Sequence, residues 1–256
     1  MLTMFRLTWI LIFVVAVGIN AEEAEINDGD VDISKYPYVV LIKKKGRPVC
    51  SGAILDELHV VTSDRCVPPF EHIWNVMNDI VVVSGTSSLK PSGKSIFVKE
   101  MFSQNHHVNN PLNNPVTSGL GVIKLNQPIE FGDAVQPIKL SETEVPPDAK
   151  LEMVGWMMAD HQGKKTAHLK KVTLNTINSQ KCQPFHKKKL DVSEFCTVPE
   201  PEGIFCKGFS GSPLIYEGKL VGVATYGISC ENPPRPDVHT SIDEENREYL
   251  QEIIRG

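Results

Sequence analysis

The amino-acid sequence predicts an all-β protein of antiparallel strands closed by one C-terminal helix. Three observations carry that expectation. Short apolar or alternating runs of strand length recur along the chain, and Gly, Pro, Asn or Asp ends most of them. Helical periodicity is almost absent until Asp243. Six cysteines lie behind an apolar leader, which argues for disulfides formed in an oxidising compartment. Sandwich and barrel arrangements both suit this strand pattern.

The leader comes first. Arg6 supplies a positive charge, Leu7 to Val17 is almost wholly apolar, and small residues follow at Ala16, Gly18 and Ala21. The apolar run is roughly 12 residues, short of the ~20 that a membrane span needs. The expectation is a signal peptide over 1–21, cleaved after Ala21 or, as the second choice, after Gly18, and a secreted, extracellular protein over 22–256 that leaves the membrane. Its length of about 235 residues suffices for one large β domain or two small ones. Losing Arg6 takes the formal charge from −5 to −6. A mildly acidic chain has no electrostatic footprint for nucleic acid. Lys43-Lys44-Lys45 and Lys187-Lys188-Lys189 read as solvated loops.

The strands follow in order. Tyr38 to Ile42 is the first, ended by the lysine run and Gly46. Ser51 to Leu55 and His59 to Thr62 follow, with Asp56-Glu57 as a hairpin tip between them. Ile80 to Gly85, Ser95 to Val98 and Gly121 to Leu125 continue the series. The second half supplies Leu151 to Trp156, Lys170 to Leu174, Ser212 to Ile215, Leu220 to Thr225 and Val238 to Ile242. Met101 to Pro115, rich in Asn and His, reads as an exposed loop. From Asp243 to Arg255 a helix places Tyr249, Leu250, Ile253 and Ile254 on one face. No Cys or His cluster has zinc-site spacing, so neither metal nor cofactor is expected.

The stretch with chemistry in it is Cys206-Lys207-Gly208-Phe209-Ser210-Gly211-Ser212-Pro213-Leu214. It resembles the nucleophile loop of the chymotrypsin/trypsin family, C-x-G-D-S-G-G-P-L. Further stretches resemble the same family in the same order. Val60-Val61-Thr62-Ser63-Asp64-Arg65-Cys66 is similar to V-L-T-A-A-H-C, and Ser118-Gly119-Leu120-Gly121-Val122-Ile123-Lys124-Leu125 to N-D-I-A-L-L-K-L. Val154-Gly155-Trp156, Thr225-Tyr226-Gly227 and Pro236-Asp237-Val238-His239-Thr240 are similar to the family's G-W, S-W-G and P-G-V-Y-T elements. The resemblance implies two six-stranded antiparallel Greek-key β-barrels, the first over about 26–135 and the second over about 136–242, with the helix over 243–255. It also implies the pairings Cys50–Cys66, Cys182–Cys196 and Cys206–Cys230.

The departures from the family bear on function. Arg65 stands where the resemblance places the catalytic histidine, and an arginine stays protonated and cannot act as a general base. Gly119 stands where the orienting aspartate belongs; a slip of one residue substitutes Ser118, which also lacks a carboxylate. Ser210 remains as the nucleophile position, with Gly208 and Ser210 as the former oxyanion-hole donors. Phe209 replaces the aspartate that pairs with the activated N-terminus. The aligned start at Ile26-Asn27-Asp28-Gly29 follows Glu25 and lacks a basic cleavage residue. The specificity pocket is implied at Ile204, Thr225, Tyr226, Gly227 and Asp237. Ile204 replaces an acidic floor, and Asp237 stands where a glycine keeps the pocket open.

The reading expected from these residues is a catalytically inactive homologue that acts by binding protein. The expected partners are components of a protease cascade, such as host complement, met by a monomer. Ile54-Leu55-Asp56-Glu57, with the loss of the catalytic groups, resembles mite trypsin-like allergens and their inactivated paralogues, a group that includes complement inhibitors. Two other classes compete. One is an active endopeptidase using Ser210 with a substitute base such as His59, His106 or His107. The other is a structural or storage role in a secretion.

Overall fold

The computed structural model describes residues 29–67, 77–90, 92–104, 119–158, 166–200, 207–208, 210–225 and 235–256. The expected signal peptide and the start at Ile26 lie outside them, as do His106, His107, Cys206 and Cys230. Six strands close the first barrel: β1 (Val39–Lys44), β2 (Arg47–Ile54), β3 (His59–Ser63), β4 (Ile80–Ser84), β5 (Lys94–Ser103) and β6 (Leu120–Leu125). The second half holds β7 (Lys150–Gly155), β8 (Met157–Met158), β9 (Lys170–Ile177), β10 (Glu194–Pro199), β11 (Lys207–Gly208), β12 (Pro213–Tyr216), β13 (Lys219–Ala224) and β14 (Asp237–Ser241). Of these, β7, β9, β10, β12, β13 and β14 close the second barrel, while β8 and β11 pair apart from it. Around the first barrel the order is β1-β2-β3-β6-β5-β4, and around the second, begun at β7, it is β7-β9-β10-β14-β13-β12. The same antiparallel connection pattern is therefore used twice, as the all-β reading of the sequence requires.

The strand sequences explain how the barrels meet. Val40 and Ile42 of β1 point into the first barrel beside Ile54, Val60, Val82 and Ile123. Val39 and Leu41 point the other way, onto Val83, Val154, Trp156 and Leu169. Both faces of β1 are buried, which is why it reads as an unbroken apolar run. The second barrel is filled by Leu151, Met153, Val172, Leu174, Leu214 and Val221. The β1–β2 turn passes through Lys45 and Gly46, both at positive φ, the geometry of a two-residue hairpin.

Two expectations need correction. Met101 to Ser103 is not loop: it is the end of β5, and Met101 and Ser103 are buried. A register shift between Val98 and Glu100 inverts the alternation there, so Lys99-Glu100 masks a strand that pairs with Ile123, Val122 and Gly121. The strand β10 had no counterpart in the sequence reading, because its inward position Glu194 is charged yet buried. The residues of the expected loop from 105 to 115 lie outside the described part.

Among the described residues two α-helices flank the barrels, the short α1 (Ser179–Cys182) and the C-terminal α2 (Glu244–Arg255). Asp243 caps α2 by accepting from Asn246 N at 2.9 Å. Leu250 is fully buried, and Tyr249 and Ile253 pack with it against Val61, Leu120 and Val122. Gln104 fastens the helix to the first barrel, donating to Asn246 Oδ1 at 2.7 Å and accepting from Leu120 N at 3.2 Å. Cys50–Cys66 and Cys182–Cys196 are disulfide-bonded. Among the described residues no helix is long and apolar enough to cross a membrane.

Candidate functional site

Three segments converge at the mouth between the barrels. The first is the 3-10 turn Asp64–Cys66 that ends β3, with the Ser63 hydroxyl accepting from Arg65 N at 3.4 Å. Asp64 and Cys66 are buried, which turns Arg65 between them out to solvent. The second is the start of β6: Gly119 is buried, and its carbonyl accepts from Asp64 N at 3.0 Å. The third is the Ser210 turn, whose carbonyl accepts from Ser51 N at 3.0 Å. Cys66 Sγ lies 3.4 Å from that same carbonyl, a packing contact because a disulfide sulfur has no proton to donate. Arg65, Gly119 and Ser210, far apart in sequence, thus belong to one neighbourhood.

The Ser210 turn is held tightly. Gly211 N donates to Ala224 O at 2.7 Å, and Ala224 N donates to Ser212 O at 2.9 Å. Gly211 has φ 82°, and a Cβ there would collide with Thr62 Oγ1 and the Ser51 carbonyl, so only glycine fits. Ser212 is fully buried. Its hydroxyl fills the space that Gly155 leaves by having no side chain, since a Cβ on Gly155 would strike Ser212 Oγ and stand 3.0 Å from Ser212 Cβ.

Ser210 Oγ donates to the Thr225 carbonyl at 3.4 Å. Among the described residues no imidazole is hydrogen-bonded to it. His59 is committed elsewhere: its Nδ1 lies 2.9 Å from both carboxylate oxygens of Asp56, which also accepts from Leu58 N and His59 N. The expected hairpin tip is therefore a closed turn whose histidine serves the turn. His239, fully buried, shares a 2.8 Å hydrogen bond with Thr197 Oγ1, and burial depresses its pKa to about 3. Burial raises the pKa of the Tyr249 hydroxyl, and the negative charge of Asp64 raises it further.

Of the pocket residues, Thr225 and Asp237 are described. Thr225 is buried, with Oγ1 2.7 Å from Thr240 Oγ1. Asp237 is buried at the start of β14, paired with Thr197, so its carboxylate does not face open solvent. Ile204, Phe209, Tyr226 and Gly227 lie outside the described residues. Gly208 pairs with Met157 through β11 and β8. Phe209 sits between Gly208 and Ser210, so the approach of the two expected oxyanion-hole N–H groups also falls outside the described part.

The double barrel, the two disulfides among the described residues and this turn are joined by one further observation: the family model of trypsin matches residues 26–247. The chain belongs to the trypsin family. It is 27% identical over 224 residues to a trypsin of Phaedon cochleariae, covering 85% of this chain and 83% of the relative. It is 27% identical to the clotting factor G beta subunit of Tachypleus tridentatus, covering 90% and 80%. A vitellin-degrading protease of Bombyx mori is 26% identical, covering 88% and 83%. Among solved structures, neuropsin of mouse brain superposes with a TM-score of 0.76 at 20% identity, over 90% of this chain and all of that one, which speaks to the fold alone. The scabies mite inactivated protease paralogue S-D1 superposes with a TM-score of 0.75 at 26% identity, over 89% and 96%.

Sequence reasoning found the Arg65, Gly119 and Ser210 positions through the family's motifs. It missed Gly155 as the residue that makes room for Ser212, a contact between remote segments for which the local pattern carries no signal.

Proposed function

We propose that this trypsin-family protein cleaves nothing and acts extracellularly by binding other proteins. The observation that carries the reading is the state of Ser210: its hydroxyl rests on the Thr225 carbonyl, and the position that should supply its base holds Arg65. Peptide hydrolysis needs a group that takes the serine proton and returns it to the leaving amine. A guanidinium, which keeps its proton, does neither. Gly119 offers only its backbone, so no carboxylate stands there to orient a base. Loss of one member of such a triad costs on the order of 10⁴–10⁶ in rate. The name of the mite paralogue supports the reading by kinship, since inactivated members exist at this level of similarity.

The partners we propose are components of a protease cascade, with host complement as the first case. A protein with the outline of a protease and no activity would compete with active relatives for their substrates and inhibitors. The test has two arms run on the secreted protein. The first follows cleavage of casein and of Arg- and Lys-containing chromogenic peptides against Ser210→Ala; the expected rates are equal. The second follows complement lysis in serum, where added protein is expected to reduce lysis in a dose-dependent way. Cleavage lost on Ser210→Ala would refute the inactive reading, and unchanged lysis would refute complement as the target.

A further inference from the structure

On the loop closed by the Cys182–Cys196 disulfide, positive charge and exposed apolar side chains coincide. Phe185 is 52% exposed and Val192 95% exposed. Lys187 and Lys189 are exposed on the same loop, and Lys181 is exposed on α1 at its start. Lys188 turns to buried Glu194, with 3.6 Å between charged groups. Asp191, the loop's other acid, accepts from Ser193 N at 3.1 Å and Ser193 Oγ at 3.0 Å. Among the described residues, Lys181, Lys187 and Lys189 have no acid within ion-pair distance.

A lysine run on the surface is ordinarily a mobile, solvated segment, but this one is fixed from three sides. The Gln183 amide donates to the carbonyls of His186 at 3.1 Å and Lys188 at 2.8 Å, and accepts from Leu190 N at 2.9 Å. His186 Nε2 lies 3.0 Å from the Pro236 carbonyl, which sets the loop beside Asp237 at the former pocket wall. The disulfide closes its base. A partner meeting this loop finds its backbone already ordered, so only side-chain ordering at the lysines opposes binding.

We propose that the Cys182–Cys196 loop is a docking surface for an acidic protein segment that carries an aromatic or aliphatic side chain. Charge complementarity names the occupant: a cationic strip on an anchored backbone, in a chain of net charge −5, selects carboxylates. The exposed Phe185 ring separates protein from polyanionic glycan, because a glycan would use the lysines and leave the ring bare. The surface goes beyond the proposed function and is independent of Ser210, so the two readings fail in different experiments.

The test is fluorescence anisotropy on the whole secreted protein, with a fluorescein-labelled peptide of glutamates flanking a central tyrosine and leucine. Comparison ligands are the same peptide with serines at the two central positions, a heparin oligosaccharide and phosphatidylserine vesicles. The tyrosine–leucine peptide is expected to bind best, and more weakly as salt is added. K187E/K189E should lower its affinity about tenfold or more, and F185A about fivefold, with melting temperatures unchanged. K187R/K189R should retain binding, and K44E/R47E on the β1–β2 hairpin should leave it unaltered. The proposal is overturned if the peptide does not bind, if the serine peptide binds equally, or if heparin or the vesicles bind better. Equal loss in K44E/R47E would also overturn it, by showing that diffuse charge suffices.

Discussion

Replacing Gly155 by alanine tests how this chain accommodates a serine at the position after Gly211. The new methyl would lie against Ser212 Oγ and 3.0 Å from Ser212 Cβ, while Ser51 Oγ is 3.3 Å away. Rotating the Ser212 hydroxyl relieves the first contact but not the second, and Ser212 is fully buried with no room to withdraw. Gly155 lies at the end of β7 at a φ that any residue adopts, so the cost is overpacking and not backbone strain. Overpacking of this kind costs ~1–3 kcal/mol. For a chain of this size ~2 kcal/mol corresponds to about 4–8 °C in melting temperature. The assay is a double-mutant cycle by thermal and urea unfolding over wild type, G155A, S212G and G155A/S212G. Removing the Ser212 side chain should abolish most of the G155A penalty, leaving a coupling of ~1–3 kcal/mol. A G155A penalty that persists undiminished in the S212G background would show that the two residues do not share this space.

Three further outcomes follow from the fold. His239 is held neutral by burial, with its pKa depressed from 6.5 to about 3. Its contribution is fully present above pH 6.5 and is lost as pH falls toward 3, at ~1.4 kcal/mol per unit and ~2 kcal/mol by pH 5. Unfolding of His239→Gln followed against pH should show a flatter acid limb; an identical limb would remove His239 as its cause. The Asp30–Lys170 pair is buried at 2.6 Å, so Lys170→Met should cost ~3–5 kcal/mol and Asp30→Asn/Lys170→Met much less. Equal costs in urea unfolding would mean that the charges are not coupled. Removing Cys50–Cys66, which closes a sequence separation of 16, by alanine at both positions should cost ~3 kcal/mol by the same assay.

The fold was legible wherever burial wrote itself into the side chains. Val39 to Ile42 reads as a continuous apolar run because one barrel takes Val40 and Ile42 and the other takes Val39 and Leu41. The final helix was legible from Tyr249, Leu250 and Ile253, which do face the core. β10 was not, since Glu194 occupies an inward position and answers to Lys188 instead of an apolar neighbour. The end of β5 was hidden by a register shift that put two charged residues side by side in front of Met101. At the site, motif resemblance located Arg65, Gly119 and Ser210, but the hold on Gly119 and Ser210 comes from backbone hydrogen bonds between remote segments. Ser51 N to Ser210 O and Asp64 N to Gly119 O carry no side-chain signature. His59 is a candidate base by residue type alone, and Asp56, three residues before it, is the carboxylate that holds it, a pairing legible in principle from the sequence.

The measurement closest to the central claim is reaction of the folded protein with a fluorophosphonate probe, read by mass spectrometry beside Ser210→Ala. The probe reports a serine whose proton can be removed, whatever group removes it. With Arg65 at the base position and the Ser210 hydroxyl on the Thr225 carbonyl, the natural protein should stay unlabelled and match Ser210→Ala. Stoichiometric labelling that disappears in Ser210→Ala would mean that a base serves this serine, and the account of a non-cleaving binding protein would be wrong.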